Sequence, residues 1–73
     1  MNTEKLVFGI LQNQHGLMAT RLTSFDEIGF DALDIVCFIE DVSDVSGVEI
    51  SQGDMIMMTT FNCLIEYLNV NVS

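Results

Sequence analysis

The stretch from Asp31 to Gly47 constrains this chain more than any other. Ile35, Phe38, Ile39, Val42 and Val45 follow one another at intervals of three, one, three and three residues. That spacing puts an apolar stripe on one side of a helix, with Asp34, Asp41 and Asp44 off it. Asp31 stands where a helix cap is needed, and Asp34 falls three residues on, at capping-box spacing. Ser46-Gly47 supplies a left-handed position to end the helix. A helix with one apolar side must bury that side against other elements.

The rest of the chain offers such partners. Leu6, Val7, Ile10 and Leu11 define one face of a first helix from about Thr3 to Gln14, with Gly16 as a stop. Gly9 weakens that helix by about 1 kcal/mol relative to alanine. Gly16 to Phe30 reads as a long connection, anchored in the core by Phe25 and Ile28. A loop of that length in a small domain is expected to pack and to have a task. Val48-Glu49-Ile50 is an extended link. Ser51 to Asp54 again has capping-box spacing, and it opens a short helix through Met55, Ile56, Met57 and Met58. Thr59 or Thr60 caps a last helix, in which Phe61, Leu64, Ile65 and Leu68 match the i, i+3, i+4, i+7 pattern. Asn69 to Ser73 is expected to fray. The pattern predicts an all-α, four-helix bundle in one domain over residues 1–73, with three longer helices, one short helix and a long first loop.

Seventy-three residues lie near the lower size at which a core alone can hold a fold. With 49% hydrophobic residues and no proline, a helical core needs no covalent staple. Two cysteines, Cys37 and Cys63, make no disulfide framework and read most simply as small core or half-buried residues. There is no basic-then-apolar leader at the N-terminus and no apolar run of membrane-spanning length. A soluble, reducing, cytoplasmic setting is expected, and a free-standing protein.

The net charge is −9, and the only basic residues are Lys5 and Arg21. Nine of the eleven acids lie between Asp26 and Asp54. Nucleic acid is excluded as a partner, since phosphate contacts need Lys and Arg; anionic membrane is excluded for the same reason. The clustering points to a basic protein surface, whose approach the charge would speed. Chemistry by the chain itself has little support. His15 is the only histidine and joins no zinc-spaced cluster. The acids lack a calcium loop, Cys37 and His15 lie in separate elements, and no glycine-rich phosphate loop is present. Met55, Met57 and Met58 are read as gap-filling core in preference to an adaptable apolar surface.

The run Phe25-Asp26-Glu27-Ile28-Gly29-Phe30-Asp31-Ala32-Leu33-Asp34-Ile35-Val36 resembles the prosthetic-group site of acyl carrier proteins, F-x-E-L-G-x-D-S-L-D-x-V. Gly47-Val48-Glu49-Ile50-Ser51 is similar to that family's G-I/V-E-I/L-P/S segment. Thr59-Thr60-Phe61 through Tyr67-Leu68 is similar to its ending, so the resemblance covers nearly the whole chain. It implies a monomeric, non-catalytic carrier that holds acyl, polyketide or aminoacyl groups as thioesters on a 4'-phosphopantetheine arm. It further implies attachment at position 32, with Asp31 holding the turn and Leu33 as an exposed apolar contact. Asp34, Val36, Cys37, Glu40, Asp41 and Asp44 would dock on basic patches of a phosphopantetheinyl transferase, a ketosynthase, an acyltransferase or other synthase enzymes. Leu33, Val36 and Glu40 would share one face.

The sequence departs from the pattern at its central residue. Where the family has the serine that carries the arm, this chain has Ala32, which offers no hydroxyl. Three readings are open: a serine-to-alanine exchange that keeps the protein in one unmodified form, which is favoured; a natural carrier-like module that docks without an arm; or an unrelated capped helix. Cys37 occupies a position that is often glutamate in the fatty-acid type, and Ser43 and Ser46 thin the acids along the second helix. Gly29-Phe30-Asp31 looks more like carriers of polyketide or nonribosomal peptide assembly.

Overall fold

The computed structural model describes residues 2–71. Four helices run in the order α1 (Thr3–His15), α2 (Ala32–Ser46), α3 (Gln52–Met57) and α4 (Phe61–Asn71). A single 3-10 turn, Asp26–Ile28, interrupts the long loop between α1 and α2. The described residues contain no strand; one isolated bridge joins Ser24 to Thr60. The all-α bundle of three longer helices and one short helix is the observed architecture.

The helix ends carry the caps that their residue types allow. Asn2 caps α1, accepting from Lys5 N, and Gly16 closes it at φ 65°. Gly47 closes α2 at φ 74°, with its N–H donating to the Ser43 carbonyl. Ser51 caps α3 by accepting from Asp54 N. At α4 it is Thr60 rather than Thr59 that caps, accepting from Cys63 N at 3.3 Å. The remaining free N–H groups at that end donate to the loop instead. Phe61 N reaches the Thr23 carbonyl at 3.2 Å, and Asn62 N the Arg21 carbonyl at 2.9 Å. The loop donates in return, from Phe25 N to the Thr59 carbonyl. Helix termini leave such backbone groups unpartnered, and here they fix the path of the long connection.

Val7, Leu11, Phe38, Ile39, Val42, Phe61, Leu64, Ile65 and Leu68 are all fully buried. Every residue of the α4 stripe is therefore core, as its spacing predicts. Phe25, Phe38 and Phe61 form the centre: the Phe25 and Phe61 rings lie 4.7 Å apart, and Phe38 and Phe61 lie 5.9 Å apart. Burying a phenylalanine contributes roughly 1.5–3 kcal/mol, so these three anchor the loop and two helices together.

Several expectations are corrected. Val45, read as part of the α2 stripe, is 61% exposed. It shares a shallow surface depression with Gly9 of α1, and a glycine has no side chain to cover it. Both loop anchors hold, Phe25 fully buried and Ile28 half-buried against the core, but Phe30 is a third, buried anchor that was not expected. Asn69, Val70 and Asn71 remain helical. The Thr3 hydroxyl donates to Asn69, and the Asn71 side chain donates to the Tyr67 carbonyl at 2.7 Å. The fraying expected at Val72 and Ser73 lies outside the described residues. The methionines divide: Met55 and Met58 are buried, Met57 is 77% exposed. Cys63 is half-buried, but Cys37 is exposed and not a core residue.

Candidate functional site

The site is built at the N-terminus of α2. Asp31 Oδ1 accepts from Asp34 N at 2.9 Å, and Asp34 Oδ2 accepts from Asp31 N at 3.2 Å. This reciprocal box satisfies two backbone donors and fixes the turn. Gly29 makes the preceding bend at φ 84°, a conformation that favours glycine. Phe30 then buries its ring against Phe25, Phe38 and His15, the last at 4.9 Å between centroids. Between these two constraints Ala32 is held as the first residue of α2 and is exposed. Its methyl group has no oxygen to form a phosphodiester, so a phosphopantetheine arm does not fit this chain at position 32 as it stands.

The remaining predicted residues fall on one side. At about 100° per residue, Leu33, Asp34, Val36, Cys37, Glu40, Asp41 and Asp44 span an arc of roughly 160°. Leu33 is 70% exposed, an apolar side chain among acids. Asp34, Cys37, Glu40 and Asp44 are exposed, while Val36 and Asp41 are half-buried. Asp34 thus has two roles, as one of its oxygens belongs to the cap. Neither basic residue neutralises this face by an ion pair. Arg21 pairs with Glu4 at 3.6 Å and donates to Asn62 at 2.9 Å; Lys5 makes no ion pair among the described residues.

Beside position 32 opens a groove of about 460 Å³. Ala32, Ile35 and Val36 of α2 form one wall, and Met55 and Ile56 of α3, with Met58 after it, form the other. Phe25, Asp26, Gln52 and Thr59 complete the lining. The volume and mainly apolar lining are those of a small-molecule site. Sequence reasoning did not find this groove. Its signal was present in Ile56, an apolar residue of a six-residue helix that stays 79% exposed beside the groove.

Two shifted groups lie on the α3 and α4 side. The Tyr67 hydroxyl donates to Asp54 at 2.9 Å, and this bond, with partial burial and the charges of Asp54 and Glu49, raises the phenol above its ordinary value. Hydrogen bonds from the Thr60 hydroxyl, then from the backbone at Thr59 and Thr60, lower the Cys63 thiol. Among the described residues no three His, Cys, Asp or Glu side chains are grouped to hold a metal ion. None of the helices there is long and apolar enough to cross a membrane.

No protein-family model matches the sequence, and no curated protein matches it either. The fold and the site define a class in physical terms only: a small acidic helical bundle with an exposed, capped helix start beside an apolar groove.

Proposed function

We propose that this domain is a carrier protein of the acyl-carrier type. Position 32 is its attachment point in a serine form, and the alanine form is unmodifiable there. Its cargo is an acyl, polyketide or aminoacyl group, held as a thioester on a phosphopantetheine arm. Such a thioester activates the acyl carbon and lets one intermediate visit several enzymes. The chain itself is non-catalytic, monomeric and cytoplasmic. Its acidic α2 face meets basic patches on a phosphopantetheinyl transferase and on ketosynthase or acyltransferase partners.

One observation carries this reading: position 32 is the exposed first residue of α2, between a reciprocal Asp31–Asp34 cap and the exposed Leu33. A transferase can reach a side chain there without unfolding anything, because position 32 is exposed and the turn before it is already fixed by the cap. The test is intact mass after Ala32→Ser protein is incubated with a broad-specificity transferase and coenzyme A, beside the unchanged chain. A gain of roughly 340 Da, as a covalent modification, in the serine form alone supports the carrier. No gain in a folded serine form overturns it.

Ala32 itself favours a second reading, a carrier-like module that docks on synthase enzymes through its acidic helix and never bears an arm. Under that reading the alanine form binds its partner as well as the serine form does, and restoring serine adds nothing.

A further inference from the structure

We infer that the shallow cleft between α1 and the C-terminal half of α2 is a second docking surface. Its occupant is a short amphipathic helix of a partner protein, with an acid at one end of its apolar stripe and a base at the other. The cleft lies at the opposite end of α2 from position 32. It is independent of the carrier reading and of any arm.

The floor of the cleft is apolar and unevenly filled. Asn2, Lys5, Leu6, Gly9 and Asn13 recur on one side of α1 at helical spacing, and Val45 faces them from α2. Leu6 is half-buried, and Val45 is exposed. A Cβ built on Gly9 meets nothing within 4 Å, so the backbone of α1 is bare there. The distance between packed helices depends on the side chains at their contact, and a glycine permits the closest approach. An apolar side chain laid over Gly9 would cover Leu6 and Val45, as anchor residues do when a helix docks in a groove.

Charge selects the occupant. Of the eleven acids only Glu4 belongs to α1, and Arg21 pairs with it. Lys5 is exposed and makes no ion pair among the described residues. No carboxylate among them lines the cleft. One end is therefore cationic, on a chain of net charge −9. The other end is not. His15 of α1 packs on Phe38, and Lys5 shares the cleft with Val45, so the two helices run antiparallel. Asp41, one turn before Val45, accordingly stands toward Asn13. A partner's acid gains at the Lys5 end and would meet like charge at the Asp41 end, which fixes the direction of the partner helix. From Lys5 to Asn13 α1 rises about 12 Å, so the partner's acid and base stand roughly seven residues, or two turns, apart. A contact of this size lies at the low end for specific interfaces, and the complex is weak and transient.

The test is a selection of binders to the biotinylated chain from a displayed library of helical peptides about 15 residues long, roughly four turns. The Gly9→Leu protein serves for counter-selection. It should fold, since a side chain there has open space and leucine is a good helix former. Recovered peptides are then titrated into the isotope-labelled chain and followed through its amide resonances. The expected peptides carry an acid and a base about two turns apart and give saturable shifts centred on Lys5, Leu6, Gly9 and Val45. Gly9→Leu should abolish the shifts. Lys5→Glu should weaken binding by at least roughly two- to fivefold, the worth of an exposed ion pair, and high salt should narrow that gap. Glu40→Lys, on the acidic face of α2, should change nothing. Four outcomes would each overturn the docking surface: no peptide that prefers the chain to a folded Gly9→Leu protein, binding indifferent to Lys5→Glu, shifts centred on Ala32 and Leu33 instead, or shifts at the cleft that grow with the concentration of the chain alone. The last would assign the cleft to a second copy. None of them bears on the mass test of the serine form.

Discussion

The hydroxyl of Tyr67 donates to Oδ2 of Asp54 at 2.9 Å, and this bond ties the middle of α4 to the first turn of α3. The helix held in this way, α3, carries Met55 and Ile56 of the groove lining. A phenol whose proton is held by a carboxylate titrates higher in the folded state than in the unfolded chain. The stabilisation is fully present below the unfolded tyrosine value and is lost as pH rises through the folded one. Denaturation midpoints should therefore fall as pH rises above about 10, the unperturbed tyrosine value. Tyr67→Phe should be slightly less stable at neutral pH and should lose part of that alkaline decline. A Tyr67→Phe protein with an unchanged alkaline profile would show that the bond does not act in solution.

Gly9 gives a gain-of-stability prediction. It lies inside α1, and a Cβ built there meets nothing within 4 Å. Alanine therefore fits without strain and improves helix propensity, by roughly 0.5–1 kcal/mol. It also adds a methyl group to the depression that leaves Val45 exposed. Urea denaturation of Gly9→Ala should show a higher midpoint with an unchanged slope.

The contrast between α4 and Val45 shows what was legible in the sequence. Phe61, Leu64, Ile65 and Leu68 are buried because their own helix places them on one side, and periodicity reports that. The caps at Asp31, Ser51 and Gly47 are equally local and were legible for the same reason. The exposure of Val45 depends on what α1 lays beside it, and no local pattern carries that. Phe30 was missed because it lies in a loop, where burial has no period. The groove arises from the placement of α3 against α2, so its walls were legible only as separate residues. Ala32, Leu33 and the acidic residues of α2 were singled out by the resemblance of the Phe25–Val36 run, and periodicity alone would have left the acids as a solvated helix face.

The capping box yields a local prediction. Asp31→Ala removes the acceptor for Asp34 N and should cost about 1 kcal/mol, as other cap deletions do. Asp34→Ala removes the return bond to Asp31 N. The two carboxylates act as one unit, so the double variant should lose less than the two single losses added together. Chemical denaturation of the four proteins measures that coupling, and strict additivity would mean that the box is not cooperative.

Phe38 touches the rings of Phe25, Phe30 and Phe61 and is fully buried. Phe38→Ala should cost about 3–5 kcal/mol. A chain of this length has roughly 4–11 kcal/mol in all, at the usual 0.05–0.15 kcal/mol per residue. Thermal unfolding followed by circular dichroism should show the alanine variant largely unfolded or barely cooperative. Phe38→Leu should keep a cooperative transition at a lower temperature. A Phe38→Ala protein that melts like the parent would mean that the aromatic cluster is not the centre of the core.

Glu40 and Asp44 test whether the acidic face of α2 acts as a surface or merely as charge. Both are exposed and lie within the arc shared with Leu33 and Cys37. Glu66 of α4 is exposed too, but it belongs to a different helix. In the Ala32→Ser background, Glu40→Lys and Asp44→Lys each change the net charge by the same amount as Glu66→Lys. If a basic enzyme surface reads the α2 face, the first two should lower the kcat/KM of transferase modification by roughly tenfold, the low end of electrostatic steering. They should also flatten its dependence on salt, since rim charges act mainly on encounter. Glu66→Lys should then have little effect. Equal losses in all three would assign the effect to overall charge, and the docking role of Glu40 and Asp44 would fall with it.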